Sequence, residues 1–260
     1  MSVVSPYYDQ SAYRTRFEWG PEGVRALAPH SDVVVIVDVL TFSTAVDVAV
    51  GQGATVFPYR WRDASAERFA REHDAALAVS RGATSPAHPF SLSPASLQGL
   101  APGARLVLPS PNGATLSLLA AEAGAAVLAG SLRNAAATAR AAAALGRRVT
   151  VIAAGERWPV SDTLRPSIED LIGAGAVLSA LDAPEPTLSP EAAIALAAFA
   201  AAAPRLRQHL DACASGRELR ELGFGQDVAV AAELNASGSV PILRDGAYVR
   251  WSRYTREPGA

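Results

Sequence analysis

The sequence predicts an α/β protein with a mostly parallel sheet and helices covering both of its faces. Half of the 260 residues are hydrophobic, and alanine, which favours helices, supplies much of that share. Short runs of β-branched residues alternate with longer helix-like segments. A unit of strand, polar loop and helix recurs, beginning at "DVVVIVD", at "ARLVLPS" and at "RRVTVIAAGE".

Each element can be placed along the chain from these patterns. Strands are predicted near 33–37, 54–58, 105–108, 126–129 and 149–153. Helices are predicted over 43–53, 114–120 and 167–181. If these strands run parallel, the loops after Val37, Leu108 and Ala153 lie at one edge of the sheet, where such sheets bind their ligands.

The rest of the chain is less regular. The Pro- and Ser-rich segment 82–96 is predicted to be a long loop. Segments 225–234 and 240–251 are expected to be rich in strand and to form a hairpin or a small lobe. We expect residues 1–260 to form a single α/β domain or two intimate lobes, with a weak boundary near the Pro-rich stretch 183–190.

The charge pattern excludes several classes of function. The net charge is −2, and no basic surface for nucleic acid is evident. All 23 basic residues are Arg, which excludes a Schiff base on Lys and the Lys of a Walker loop. An anionic ligand must therefore be held by Arg, by backbone N–H groups or by a metal.

Other features bear on the location of the protein and on two site types. Cys213 is the single cysteine, so no internal disulfide can form. The first residues lack the apolar core of a signal peptide, and no apolar run is long enough for a convincing membrane span. We therefore expect a cytoplasmic protein without membrane contacts. The four His residues show no metal-binding spacing.

Asp38 is the strongest candidate site residue. It directly follows the apolar run 33–37, which is typical of a strand buried on both faces, so its carboxylate is expected at the sheet edge. Ser43 and Thr44 follow at a helix start. Their hydroxyls either cap that helix or belong to an anion site formed with its free N–H groups.

A second candidate is the turn "LPSPNGATLS". Ser110 lies between two prolines, and Asn112-Gly113 is a strong turn dipeptide. A helix follows, so Ser110, Asn112 and the Gly113 N–H are expected to face its positive end. They form either an anion site or an ordinary capped turn.

The third candidate is the segment "AAGERWPV" with the later "RPSIED". Glu156 leaves a strand, and Glu169 and Asp170 begin a helix, where acids are also common for dipole reasons alone. Gathered with Asp38, these acids would suit Mg²⁺. Arg157 and Arg165 flank the same loop and could clamp an anion.

Two familiar patterns do not fit. Haloacid-dehalogenase-type phosphatases carry a second Asp two residues after the first, and that position is Leu40 here. The dinucleotide-binding fingerprint lacks its third Gly in "GQGATV" and "GAGAVL".

The ordered set "VDVLTFSTA", "LPSPNGATLS", "GSLRNAAATA", "AAGE…SIEDLIGAGA" and "LGFGQDVA" resembles the Mg²⁺-dependent 2-phosphosulfolactate phosphatase (ComB-like) family from about residue 30 to 243. The resemblance implies a three-layer α/β/α fold with a mixed sheet. It also implies hydrolysis of a small anionic phosphate monoester to a hydroxy-acid and phosphate. We assign Asp38, Glu169 and Asp170 as catalytic candidates, and Asp38, Glu156 and Asp227 as Mg²⁺ ligands. Ser43, Thr44, Ser110, Asn112, Gly113, Arg157 and Arg165 are the candidate substrate-binding residues.

The chain also departs from the family pattern. Thr41 stands where an Arg is common, and segment 80–97 lacks the pattern's Glu and Asp. These departures motivate an alternative hypothesis, a degenerate member that binds a small anion without hydrolysing it. A homodimer is also expected.

Overall fold

A large mixed sheet is the centre of the computed structural model, which describes residues 7–61 and 63–252. The strands are β1 (Thr15–Trp19), β2 (Val33–Val37), β3 (Thr55–Tyr59), β4 (Ala76–Leu77), β5 (Arg105–Pro109), β6 (Ala126–Gly130), β7 (Val149–Ala153), β8 (Glu156–Arg157), β9 (Leu164–Arg165), β10 (Pro241–Arg244) and β11 (Ala247–Arg250). Within the described residues, nine strands form the sheet in the order β1-β7-β2-β6-β10-β11-β3-β5-β4, and β8 pairs separately with β9.

Helices cover both faces of this sheet. They are α1 (Gly20–Leu27), α2 (Phe42–Gly51), α3 (Ala64–Glu72), α4 (Pro94–Leu97), α5 (Gly113–Glu122), α6 (Ala135–Leu145), α7 (Ile168–Leu181), α8 (Pro190–Ala202), α9 (Leu206–Ala212), α10 (Ala214–Glu221) and α11 (Gly225–Ala231). The prediction of an α/β protein with a mixed, mostly parallel sheet is confirmed.

Strand β2 separates two hydrophobic cores. Val33, Val35 and Val37 pack with α6 and α7 on one face, whereas Val34 and Ile36 pack with α2 and α5 on the other. All five side chains are fully buried, which stabilises the fold by about 1.5–3 kcal/mol for each large side chain. An uninterrupted β-branched run is the sequence pattern that such a two-sided strand requires.

The strands run in two parallel groups of opposite sense. β1, β7, β2 and β6 pair in parallel, as do β3, β5 and β4. Three antiparallel pairings through β10 and β11 separate the groups. The condition that β5 runs parallel to β2 and β7 is therefore not met, because the C-terminal hairpin is inserted between them. The loop after β5 nevertheless reaches Asp38, since the Gly113 N–H donates to its Oδ2.

The C-terminal region differs from its prediction in two ways. The expectation that segment 225–234 is strand-rich is wrong, because it forms α11 (Gly225–Ala231) and a turn. The predicted hairpin in 240–251 exists, yet it lies inside the main sheet between β6 and β3 instead of forming a separate lobe. Pairing with strands distant in sequence thus decides its position.

Two irregular segments are tied to the main body. Segment 82–96 is mainly loop, and α4 begins near its end, at Pro94. The expected lobe boundary at 183–190 lies against β1, because Arg14 N–H donates to Thr187 O at 3.0 Å and Ser189 N–H donates to Thr15 O at 2.9 Å. Among the helices of the described residues, none combines the length and apolarity needed to cross a bilayer.

Candidate active site

Asp38 lies at the end of β2 with its carboxylate held between two helix starts. Oδ1 accepts a hydrogen bond from the Phe42 N–H at 3.0 Å, and Oδ2 accepts one from the Gly113 N–H at 3.0 Å. Phe42 begins α2 and Gly113 begins α5. The positive ends of both helices therefore favour the carboxylate form and fix its direction.

Gly113 is required for this close approach. A Cβ atom at that position would lie 2.3 Å from the Phe42 ring and 2.8 Å from Oδ2 of Asp38. Both distances are shorter than real Cβ contacts, and Phe42 is fully buried. The Gly113 N–H, expected to face substrate, is directed to Asp38 in this structure.

Ser43 and Thr44 hold the backbone around Asp38. The Ser43 hydroxyl accepts from the Asp38 N–H at 2.9 Å and donates to the Asp38 carbonyl at 2.8 Å. The Thr44 hydroxyl donates to the Val39 carbonyl at 2.8 Å. Both side chains are completely buried, so their visible role is to shape the loop that presents Asp38.

Asp170 joins the loops that follow two neighbouring strands. Its Oδ1 accepts from the Val39 N–H at 2.7 Å, and its Oδ2 accepts from the Gly155 N–H at 2.9 Å. Val39 follows β2 and Gly155 follows β7. Asp170 thereby fixes the separation of the loops that carry Asp38 and Glu156.

Glu169 is buried beside this group. Its Oε2 has no hydrogen-bond partner within the described part of the chain. Its charge contributes to raising the pKa of Asp38, Glu156 and Asp170. Burial, and secondly the charge of Glu169, raises the pKa of the Cys213 thiol to about 12. Cys213 is thus a neutral neighbour of the acid cluster.

Glu156 and Asn112 connect the loops after β7 and β5. The Asn112 amide donates to Oε2 of Glu156 at 3.0 Å. Ser110 lies in the same loop, and its N–H donates to the Tyr59 carbonyl at 2.9 Å. Asp38, Glu156, Asn112 and Ser110 all line one cavity of about 1170 Å³.

The crowding of carboxylates sets the local electrostatics. Burial raises the pKa of Asp38 to about 6. Burial, then the charges of Asp38 and Glu169, raises the pKa of Glu156 to about 7. Burial and the same two charges raise the pKa of Asp170 well above its ordinary value. The cluster thus holds more negative charge than its surroundings neutralise.

Three arginines line the cavity. Arg157 and Arg165 come from the β8–β9 hairpin. This hairpin also carries Glu156, as expected from the sequence. Arg165 donates to the Ser215 hydroxyl at 3.3 Å, whereas Arg157 binds the carboxylate of Asp162 at 3.2 Å and is more exposed. The third is Arg81, which was not among the site residues predicted from the sequence.

Asp227 is bound to Arg81 and Ser93 in this structure. Its Oδ2 accepts from Nε of Arg81 at 2.9 Å, and its Oδ1 accepts from the Ser93 hydroxyl. Asp227 is buried, 1% exposed, and forms an ion pair with Arg81. A contact between residues 146 positions apart leaves no local signal in the sequence.

The donor set can be compared with what Mg²⁺ requires. No three His, Cys, Asp or Glu side chains in residues 7–61 and 63–252 converge as a metal-binding group. Mg²⁺ is often held by only one or two carboxylates, with water and substrate phosphate completing its octahedron. Asp38 and Glu156 supply such a pair, and a cation there would stabilise the charged carboxylates, whose pKa values are raised by burial and by neighbouring acidic charge. The residues present therefore fit Mg²⁺.

Comparisons with known proteins agree with the resemblance seen in the sequence. The sequence profile of the 2-phosphosulpholactate phosphatase family matches residues 21–246 of this chain. The family's name denotes a phosphoric monoester hydrolase. A relative from Thermus thermophilus, named probable 2-phosphosulfolactate phosphatase, is 29% identical over 222 residues, which cover 83% of this chain and 89% of the relative. On this evidence the chain belongs to the 2-phosphosulpholactate phosphatase family.

Proposed function

We propose that this protein is a Mg²⁺-dependent phosphatase that hydrolyses a small anionic phosphate monoester of the 2-phosphosulfolactate type. The products are a hydroxy-acid and inorganic phosphate. The observation that carries the proposal is the Asp38 carboxylate, fixed by the Phe42 and Gly113 N–H groups in a cavity that also contains Glu156 and three arginines.

Electrostatics support the need for a cation. A phosphate dianion approaching Asp38 and Glu156 meets two carboxylates in a partly desolvated site, which is unfavourable without positive charge between them. Asp38 and Glu156 would hold Mg²⁺. The bound ion would polarise the phosphoryl oxygens and offset the charge that develops on them.

The other site residues have distinct roles in this proposal. Asn112 orients Glu156 through the 3.0 Å hydrogen bond. Asp170 holds the loops of Asp38 and Glu156 at a fixed separation, so that both carboxylates reach one ligand. Arg165, the cross-strand neighbour of Glu156 in the β8–β9 hairpin, attracts the substrate's negative charge from the lining of the same cavity.

A panel of small phospho-acids tests the proposal. We expect inorganic phosphate to be released from 2-phosphosulfolactate or a close analogue in the presence of Mg²⁺, and release to stop when EDTA is added. Equal turnover with EDTA would reject the metal dependence. A panel without turnover under any divalent metal would reject the phosphatase assignment.

One observation favours the alternative of a non-hydrolysing anion binder, namely that segment 80–97 contributes no carboxylate to the lining of the cavity. Calorimetry separates the two functions. Tight binding of 2-phosphosulfolactate without phosphate release in Mg²⁺ or Mn²⁺ would support the binder, and release would exclude it.

A further inference from the structure

Arg81 is fixed in the cavity wall by residues from two distant parts of the chain. Its Nε donates to Oδ2 of Asp227 at 2.9 Å, and its Nη2 donates to the Thr41 hydroxyl. The second carboxylate oxygen of Asp227 accepts from the Ser93 hydroxyl and from the Ala95 N–H at 3.4 Å. Asp227 is therefore fully engaged, and it holds Arg81 in one orientation.

The remaining end of this guanidinium is available to a ligand. Nη1 of Arg81 has no acceptor among residues 7–61 and 63–252, and the side chain is 18% exposed where it lines the cavity. The guanidinium also lies 5.7 Å from the centroid of the Phe224 ring. Because Thr41 is close in sequence to Asp38, this oriented cation lies on the same side of the cavity as the acid cluster.

A second Arg–Asp pair shows what a purely structural pair looks like in this fold. Arg133 Nε lies 3.1 Å from Oδ2 of Asp47, with side chains 13% and 0% exposed, compared with 18% and 1% for Arg81 and Asp227. However, Nη1 of Arg133 donates to Glu233 and to the Val230 carbonyl, and Arg133 is not among the cavity-lining residues. Each arginine leaves one terminal nitrogen without an acceptor among the described residues, Nη2 in Arg133 and Nη1 in Arg81. Only Arg81 lines the cavity, so only its free nitrogen can meet a ligand there.

We propose that Arg81 forms an anion subsite for the carboxylate or sulfonate that the substrate carries beside its phosphate, and that Asp227 is the positioning residue for this subsite. The inference rests on the proposed function. A planar guanidinium held at two nitrogens is preorganised to donate its remaining N–H groups to an oxyanion, and a Lys cannot reproduce that geometry.

Two matched substrates test the subsite. 2-Phosphoglycolate and ethyl phosphate have similar skeletons, but only the first carries a carboxylate. We expect Arg81→Lys to raise KM for 2-phosphoglycolate by about 10- to 100-fold, as for a lost charged hydrogen bond, and to change KM for ethyl phosphate less than about twofold. Asp227→Asn should shift KM in the same direction by a smaller factor, with kcat less affected.

Arg133→Lys is the matched control. It should lower the melting temperature yet leave the ratio of the two KM values unchanged. The proposal would be overturned if Arg81→Lys raised KM equally for both substrates. It would also be overturned if Arg133→Lys changed the ratio of the two KM values as much as Arg81→Lys does.

A binding measurement separates this proposal from the phosphatase assignment. Calorimetry compares 3-phosphonopropionate with propylphosphonate, neither of which can be hydrolysed. The subsite is supported if the wild type binds 3-phosphonopropionate more tightly than propylphosphonate and Arg81→Lys loses this preference. This result would stand even if no ester is turned over. The same weak binding of both compounds by the wild type would reject it.

Discussion

The N–H of Gly113 donates a 3.0 Å hydrogen bond to Oδ2 of Asp38, although the two residues are 75 positions apart in the chain. This bond joins the loop after β2 to the start of α5 across the two halves of the sheet. It is possible because Gly113 has no side chain to displace the Phe42 ring. The orientation of the Asp38 carboxylate therefore depends on one glycine.

Gly113→Ala is expected to lower turnover by at least about 100-fold, because the added methyl group displaces the Asp38 carboxylate. A displacement of a catalytic group by about 1 Å lowers the rate by about that factor. The added methyl group should also lower the free energy of unfolding by about 1–3 kcal/mol through overpacking. Turnover and urea denaturation measure the two effects. Gly99→Ala is the control, since a Cβ there meets nothing within 4 Å. Normal activity in Gly113→Ala would contradict the role assigned to this contact.

Stability in the absence of metal should depend on pH through the acid cluster. The pKa of Asp38 is raised from 3.8 to about 6, and that of Glu156 from 4.5 to about 7. At a pH between the ordinary and the raised pKa of each group, the folded state therefore binds more protons than the unfolded chain. Stability must then rise as the pH falls from 8 towards 5.

Asp38→Asn isolates this effect. The amide can accept from only one of the Phe42 and Gly113 N–H groups, a cost that does not depend on pH, so the test compares the change with pH in each protein. In EDTA, the free energy of unfolding should increase from pH 8 to pH 5 by on the order of 1 kcal/mol less in the variant than in the wild type, because the amide does not titrate. Urea denaturation at both pH values checks this. The same change between pH 8 and pH 5 in both proteins would show that Asp38 does not titrate with a raised pKa in the folded state.

Glu156→Gln should weaken Mg²⁺ binding by at least about tenfold, because one of the two carboxylates assigned to the ion is lost. The amide oxygen of Gln can still accept from Asn112, so the fold should persist. Calorimetric titration with Mg²⁺ gives the affinity independently of turnover. Glu67→Gln is the control, since Glu67 lines the same cavity without belonging to the acid cluster. Equal Mg²⁺ affinity in both variants would remove Glu156 from the metal site.

Gly175→Ala tests packing remote from the cavity. A Cβ atom on Gly175 would lie 2.1 Å from the backbone oxygen of Ala195, where α7 contacts α8. Because a backbone atom cannot move as a flexible side chain does, we expect a loss of about 2 kcal/mol or more in the free energy of unfolding. Thermal denaturation measures it, and an unchanged melting temperature would contradict the close helix contact.

Local sequence patterns predict the elements that bury uniform surfaces. The run Val33–Val37 is predicted with its observed bounds, because five consecutive large apolar residues suit a strand covered on both faces. The helix starts at Phe42 and Gly113 fall within one residue of prediction, since polar loops and turn residues mark them.

Non-local pairing explains what local patterns miss. The alternation of Val and Ala in 225–234 fits a strand as well as a helix, because Ala packs on either kind of surface. The position of the 240–251 hairpin inside the sheet depends on partners more than one hundred residues away along the chain. Arg81 and Asp227 are also far apart in the sequence, by 146 residues. The residues around either one therefore do not indicate that Asp227 binds Arg81.

In the proposed function, Asp38 is the indispensable ligand of a Mg²⁺-dependent phosphatase site. The most direct measurement is the release of inorganic phosphate from 2-phosphosulfolactate at saturating Mg²⁺ by the wild type and by folded Asp38→Asn. We predict turnover in the wild type and a rate at least about 10³-fold lower in the variant, which corresponds to an activation barrier higher by about 4 kcal/mol. Full turnover by Asp38→Asn would contradict it.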